Sequence, residues 1–276
     1  MNIYKIGSKR FDFNFAHVMA ILNVTPDSFS DGGQFNDKDA AVQYALKMIN
    51  EGADIIDVGG ESTRPGSENV NTDEEIKRVI PVINGVLIKK PDAIISIDTT
   101  KAAVAEEALK NGAVIVNDIS AGTFDPEIFD LVSRYNAAIV LMHIQGKPKT
   151  MQESPEYYDV ISEVYEFLQA QSGIAKEKGI NKIFIDPGIG FGKNLHHNLT
   201  LIEKLDELKK LSYPILVGLS RKSFIGNILD LPVDKRDDAT NALNTYALSK
   251  GARIIRTHNV TQAVQTCRLF NRILSN

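Results

Sequence analysis

The sequence predicts an α/β protein folded as a single (β/α)8 barrel with a short N-terminal β-hairpin under its floor. Three observations predict it. Eight short apolar runs recur along the chain, each suited to a strand buried on both faces. Amphipathic stretches with helical spacing lie between them. Nearly every run ends on a hydrogen-bonding side chain, as expected where the carboxyl ends of all strands surround one mouth. An open, doubly wound sheet is the competing architecture. The count of eight favours closure, and no Gly-x-Gly-x-x-Gly fingerprint opens the first βα turn.

Residues 3–15 alternate loosely around Gly7-Ser8 and read as a hairpin that plugs the barrel bottom. The first barrel strand (18–23) ends at Asn23 and enters a loop rich in Pro, Asp, Ser and Gly (24–33). His17, just before it, reads as a surface residue. The first helix (37–50) turns Val42, Leu46 and Ile49 inward, and Gly52 caps its end. The second strand (54–58) carries Asp57 into a long polar loop (59–67). Asp73 is expected to cap the second helix, which reaches Ile88 despite Pro81. The third strand (94–98) ends at Asp98, and its helix spans 101–110. The fourth (114–117) ends at Asn117, and a helix starts at Pro126. The fifth (138–142) ends at Met142-His143 and precedes the longest helix, 156–178. The sixth is Ile183-Phe184-Ile185-Asp186. Pro187 and three glycines at 188, 190 and 192 follow, read as a loop that lets a flat ligand approach closely. A helix over 197–210 leads to the seventh strand (215–219) and a loop through Arg221, Lys222 and Gly226. A helix over 236–249, the eighth strand (253–256) and a last helix (260–274) close the chain. The recurring Glu51-Gly-Ala, Asn111-Gly-Ala and Lys250-Gly-Ala each end a helix and start a strand, a weak internal echo of the repeat.

Length and composition fit one such barrel of 276 residues, with no linker or low-complexity segment to divide residues 1–276 into domains. A net charge of -4 gives no global reason to expect nucleic acid or an anionic membrane as partner. Cys267 stands alone and cannot form an internal disulfide. No apolar run approaches the ~18 residues of a spanning helix, and the N-terminus lacks the apolar core of a signal peptide, so a cytoplasmic protein is expected.

The strand ends divide by chemistry. Asp98, Asn117, Asp186 and Lys222 offer acceptors and donors that together can read the edge of a planar heterocycle. The structural alternative is an ion pair of Asp186 with Lys222. Arg256, His258 and Asn23 fall on neighbouring strands, since the eighth adjoins the first. Arg and His donate to phosphate, and the last two units of a barrel are a recurrent phosphate site. Asn23 can contribute an oxygen to a divalent cation. The alternative for His258 is a capping or barrel-closing role. His143 reads equally as a site residue or a strand-end hydrogen-bonder. His196-His197 are adjacent, so they do not face one metal from a helix.

At this point the motifs resemble a known family. LNVTPDSFSDGG (22–33), GADIIDVGGESTRPGS (52–67), ISIDT (95–99), VNDISAG (116–122), LMH (141–143), FIDPGIGFGK (184–193), GLSRKSFIG (218–226) and RTH (256–258) are similar, in order, to the dihydropteroate synthase family. The resemblance implies a TIM barrel that joins 6-hydroxymethyl-7,8-dihydropterin diphosphate to 4-aminobenzoate, giving 7,8-dihydropteroate and diphosphate in folate biosynthesis. It implies a pterin site of Asp98, Asn117, Met142, Asp186 and Lys222, with Arg256 stacking on the ring. It implies a diphosphate site of Asn23, Arg256 and His258 with Mg2+. The 4-aminobenzoate site would use Phe29, Thr63, Pro65, Phe191, Lys222 and Ser223. Asp31 and Arg64 are further loop elements, Asp31 completing the metal or diphosphate site. Asp98, Asp186, Lys222, Arg256 and His258 would carry the chemistry, and a homodimer through the outer helices of the last units is implied. One departure is visible: Asn259 follows the His where the family often has an acidic residue.

Three other readings compete. A pterin-binding methyltransferase acting on a corrinoid partner shares the barrel and carboxylates, but has no evident use for loops 25–33 and 62–67. A catalytically silent pterin-binding paralogue has no need of Asn23, Lys222, Arg256 and His258 together. A Schiff-base aldolase would use Lys222 and be revealed by borohydride trapping.

Overall fold

In the computed structural model, residues 3–25, 34–62, 66–67 and 69–275 are described, the side chains of 34–37 excepted. Ten strands and nine helices alternate along these residues. The hairpin is β1 (Ile3–Ile6) and β2 (Lys9–Asp12), antiparallel. The barrel strands are β3 (His17–Asn23), β4 (Ile55–Gly59), β5 (Ile95–Asp98), β6 (Ile115–Asp118), β7 (Ala138–Met142), β8 (Ile183–Asp186), β9 (Ile215–Val217) and β10 (Ala252–Thr257). They close in chain order, with β10 pairing β3, and every pairing is parallel. The outer helices are α1 (Gln34–Glu51), α2 (Thr72–Lys89), α3 (Ala102–Lys110), α4 (Glu127–Arg134), α5 (Val160–Glu177), α6 (Leu195–Glu203), α7 (Ser223–Leu229), α8 (Asp237–Ser249) and α9 (Val260–Leu274).

Alternation along each strand sorts its residues into two cores. Val18, Ala20 and Leu22 on β3, Ile56 and Val58 on β4 and Ile139 and Leu141 on β7 pack outward against the helices. Met19, Ile55, Ile115, Val140, Phe184, Leu216 and Ile254 have the other parity and fill the barrel floor. Ile6 and Phe11, from the hairpin, and Phe13 pack into this floor, so the plug reading holds. Phe13 meets the Phe184 ring at 5.1 Å, edge to face.

The same parity continues upward. Two or four residues beyond the floor layer stand Asn23, Asp57, Asn117, Met142, Asp186 and Arg256. Inward positions are thus apolar at the floor and polar at the mouth, which is how the sheet can bury one end and bind at the other.

Several boundaries differ from the sequence expectation. Asn71, not Asp73, caps α2: its side chain accepts from Glu74 N at 2.9 Å, while Asp73 sits in the first turn. The sixth helix breaks after Glu203 into a 310 segment, Leu205–Leu211, which keeps Leu205 and Leu208 buried. Residues 223–229 form a short extra helix where a loop was expected. His17 is half-buried, its ring edge against Phe11 and Phe13, rather than a surface residue.

Candidate active site

A pocket opens at the carboxyl ends of the strands, beside a second cavity that shares Asp98 and Ile119 with it. The pocket is lined by Asp98, Asn117, Ile119, Met142, Asp186, Ile189, Phe191, Gly218, Lys222 and Arg256. These residues come from β5 to β10 and the turns after them, so closure of the barrel is what assembles them.

Arg256 organises the floor of this pocket. Its Nε donates to Asp57 Oδ2 and its Nη2 to Asp98 Oδ2, both at 2.6 Å. Asn117 Nδ2 donates to the same Asp57 oxygen at 2.9 Å. One guanidinium therefore bridges two carboxylates, and burial that would favour its neutral form is outweighed by their charge, which raises its pKa. Asp98 shows the reverse balance. Burial, with repulsion from Asp57, raises its carboxyl pKa to about 7 despite Arg256. Asp98 Oδ1 is buried and takes no hydrogen bond from the protein, as does Asp57 Oδ1. Such an orphan acceptor is costly unless a ligand donor satisfies it.

Asp186 lies on the opposite side of the pocket. Its Oδ1 accepts from Gly188 N at 2.7 Å, and burial lifts its pKa to about 6 against the pull of that bond, Lys222 and Arg256. Lys222 is pushed down to about 8 by burial, offset by Asp186. Its Nζ stands 4.0 Å from the centre of the Phe191 ring, a contact worth ~1–2 kcal/mol where water is excluded.

The glycines after β8 have a purpose different from the one expected. A Cβ on Gly188 would stand 1.8 Å from His143 O, and one on Gly192 2.3 Å from Gln145 O. Both have positive φ. They bring this turn against the protein's own backbone after β7, where any side chain would collide. Gly190 packs instead against Lys222, with a Cβ 3.3 Å from its Nζ. Lys193 completes the seam. It is buried, and its Nζ donates to Phe191 O (2.9 Å) and lies 2.9 Å from His143 Nδ1. Burial lowers its pKa to about 7 and that of His143 to about 3, so the imidazole is neutral.

His258 meets Ser220 twice: its backbone N–H donates to Oγ at 3.2 Å, and Oγ lies 2.9 Å from Nδ1. A hydroxyl oxygen can accept from the backbone and still either donate to the ring or accept from it, so Ser220 seats the imidazole through Nδ1 in both tautomers. Asn23 ends β3 beside this strand. A Cβ on Gly59 would stand 3.6 Å from Asp98 Oδ2 and 3.8 Å from Asn23 Oδ1, so this glycine lies against both side chains.

A family model described as pterin binding enzyme matches residues 19–258. A dihydropteroate synthase of Synechocystis sp. is 49% identical over 97% of this chain and 94% of its own length. This chain belongs to the dihydropteroate synthase family of pterin-binding enzymes. Among solved structures of that family, a Yersinia pestis dihydropteroate synthase in complex with a sulfonamide drug superposes with a TM-score of 0.92 at 41% identity, covering 99% of this chain and 100% of the other. A Xanthomonas albilineans dihydropteroate synthase in complex with 7,8-dihydropteroate superposes with a TM-score of 0.89 at 35% identity over 99% of both chains.

Of the residues that the family resemblance selects, Asp98, Asn117, Met142, Asp186, Phe191, Lys222 and Arg256 line this same pocket. Asn23, Ser223 and His258 lie outside that lining, with Ser223 exposed at the first position of α7. Phe29, Asp31, Thr63, Arg64 and Pro65 fall outside the described residues. Asp57 received no role from sequence, although it accepts from Arg256 Nε at 2.6 Å while fully buried. Its parity with Ile55 was the available signal. His197 belongs to a capping box with Asn194 at the start of α6.

Proposed function

We propose that this family member condenses 6-hydroxymethyl-7,8-dihydropterin diphosphate with 4-aminobenzoate, releasing diphosphate and 7,8-dihydropteroate. The observation that carries the reading is the pocket itself. A buried carboxylate with an orphan oxygen, a carboxamide, a second carboxylate and an ammonium face one another across a slot whose walls include Ile119, Ile189 and Phe191. That set matches a flat heterocycle with donors and acceptors on its edge. The structural neighbour holding 7,8-dihydropteroate supports the assignment.

Asp98, Asn117, Asp186 and Lys222 bind the pterin edge in this reading, Met142 packs beside it, and the Arg256 guanidinium stacks on the ring while pinned by Asp57 and Asp98. The methylene C–O bond breaks with its electron pair leaving on diphosphate. Asp98 and Asp186 offset the positive charge that spreads over the pterin. Arg256 and His258 take up the departing anion. The neutral aromatic amine then attacks the methylene carbon and loses its proton. An aniline nitrogen is unprotonated at neutral pH, so no strong base is required. Phe191, Lys222 and Ser223, with Phe29, Thr63 and Pro65 from the loops, would hold the amine substrate, and Asp31 and Arg64 would help close those loops over it.

Mg2+ fits this site as a passenger of the diphosphate. Among the described residues no group of three His, Cys, Asp or Glu could hold a metal alone. A single carboxamide oxygen at Asn23, the last residue of β3, suits an ion that keeps its waters and binds mainly through phosphate oxygens. When bound, Mg2+ supplies charge neutralisation to the leaving group.

Diphosphate release measured with and without 4-aminobenzoate, beside dihydropteroate formation, tests the reaction. Coupled release establishes it, and pterin binding without release overturns it. The pH profile offers a second check. Asp186 accepts only as a carboxylate, which requires a pH above about 6. Lys222 donates a full charge only below about 8. Asp98, raised to about 7, must ionise as well to offset cationic charge, so the profile of kcat/KM for the pterin substrate is expected to be bell-shaped, rising between about 6 and 7 and falling near 8. A flat profile between pH 5 and 9 would remove both residues from the binding step.

Location and assembly belong to the same reading. Among the described residues no helix is long and apolar enough to cross a membrane, in keeping with work in the cytoplasm. Tyr246 on α8 and Leu269 and Ile273 on α9 are exposed, a surface consistent with a homodimer through the last units. Sedimentation at micromolar concentration is expected to give a dimer, and a monomer would refute it.

A further inference from the structure

Arg221 immediately precedes Lys222, and its backbone is left-handed, φ +56°. A residue with a Cβ holds that conformation only when its surroundings impose it. Here one segment does so. Arg221 N–H donates to Thr240 Oγ1 at 3.1 Å, and its carbonyl accepts from Arg236 Nη1 at 3.2 Å. Its guanidinium donates from Nε and Nη2 to the two oxygens of Asp237 at 2.7 and 2.8 Å. Asp237 opens α8, where the helix dipole favours a carboxylate. Asp237 Oδ2 also accepts from Asn259 Nδ2 at 3.1 Å.

Asn259 immediately follows His258 and caps α9, its Oδ1 accepting from Gln262 N at 3.2 Å. The amide can face only one way. Reversed, it would turn its oxygen to the Asp237 carboxylate and its NH2 to a backbone N–H. Asp237 thus joins the residue before Lys222 to the residue after His258, across the two strand ends β9 and β10. The bidentate Arg–carboxylate geometry is the kind that fixes orientation as well as distance. Neither Asp237 nor Asn259 lines the pocket.

We propose that Asp237 and Asn259 are positioning residues, which hold Arg221 in the turn that aims Lys222 into the pterin pocket and keep His258 seated on Ser220. The device needs one carboxylate across positions 237 and 259, neither none nor two. With none, Arg221 loses its anchor. With two, like charges meet at the 3.1 Å contact now made by an amide. This inference rests on the roles proposed above for Lys222 and His258.

Three variants test it: Asp237→Asn, Asn259→Asp, and both together. Each single variant is expected to lower kcat/KM for the pterin diphosphate about tenfold, and to weaken binding of inorganic diphosphate with Mg2+ by a similar factor. The double variant restores one carboxylate to the network and is expected within about threefold of wild type on both measures. A merely structural role would lower the thermal midpoint without changing diphosphate affinity of the folded protein, and would give no recovery in the double variant. Single variants that bind diphosphate within twofold of wild type, or a double variant no better than the worse single, would overturn the proposal. The binding titration needs no turnover. A wild-type protein that releases no diphosphate would count against the reaction, while the order of affinities among the variants would still decide the positioning role.

Discussion

Replacing Arg256 with methionine is expected to have the largest effect on both fold and activity. Among the described residues the guanidinium is the one cation in contact with Asp57 Oδ2 and Asp98 Oδ2, each at 2.6 Å in a buried setting. Its removal leaves two carboxylates without the cation that joins them, a change that costs about 3–5 kcal/mol. The loss has a defined dependence on pH. Asp98 already has a folded-state pKa raised above its ordinary value by burial and Asp57, and without Arg256 it rises further. Stability from such a group is full below the unfolded pKa and is lost as pH rises through the folded one. Arg256→Met should therefore be most destabilised at pH 8 and recover toward pH 5. Thermal midpoints of both proteins across that range check it, and a gap that widens on acidification would contradict the electrostatic account. Turnover is expected to fall about 10²–10³-fold even where the variant is folded, because the donor proposed above for the leaving group has gone.

Lys222→Ala and Asp98→Ala are expected to abolish measurable pterin binding. Each truncates one member of a buried, charged set whose partners remain, which costs about 2–5 kcal/mol, or roughly 30- to several-thousandfold in Kd. The two variants differ in what they leave behind. Lys222→Ala strands Asp186, whose pKa of about 6 is held down in part by that ammonium, so residual binding should need a higher pH. Asp98→Ala leaves Asp57 to keep Arg256 in place through its 2.6 Å bond, and its fold should be the less disturbed of the two relative to Arg256→Met. Changes at Thr63 should act mainly on 4-aminobenzoate. Isothermal titration with a pterin decides the matter: wild-type affinity in both variants would remove these residues from the site.

By itself the sequence determined the barrel and most of its pocket. Strand direction, inward parity and the position of each carboxyl end are local properties, readable from runs such as Ile183-Phe184-Ile185-Asp186 and from the spacing of the helices between them. Asp98, Asn117, Asp186 and Lys222 could be grouped because barrel closure sends every strand end to the same mouth. The choice of partners across that mouth was decided only by tertiary structure. Asp57 and Arg256 are 199 positions apart, and nothing local distinguishes Asp57 from a carboxylate that simply lines the site. Gly188 and Gly192 read as openings for a ligand, yet the atoms that exclude a side chain there are the carbonyls of His143 and Gln145, on the turn after the preceding strand β7. Asn259 read as a lost charge, and in the fold it is the donor that meets Asp237. In each case the period along the chain sets where a side chain points, while the contacts it finds depend on the register of strands far away in sequence.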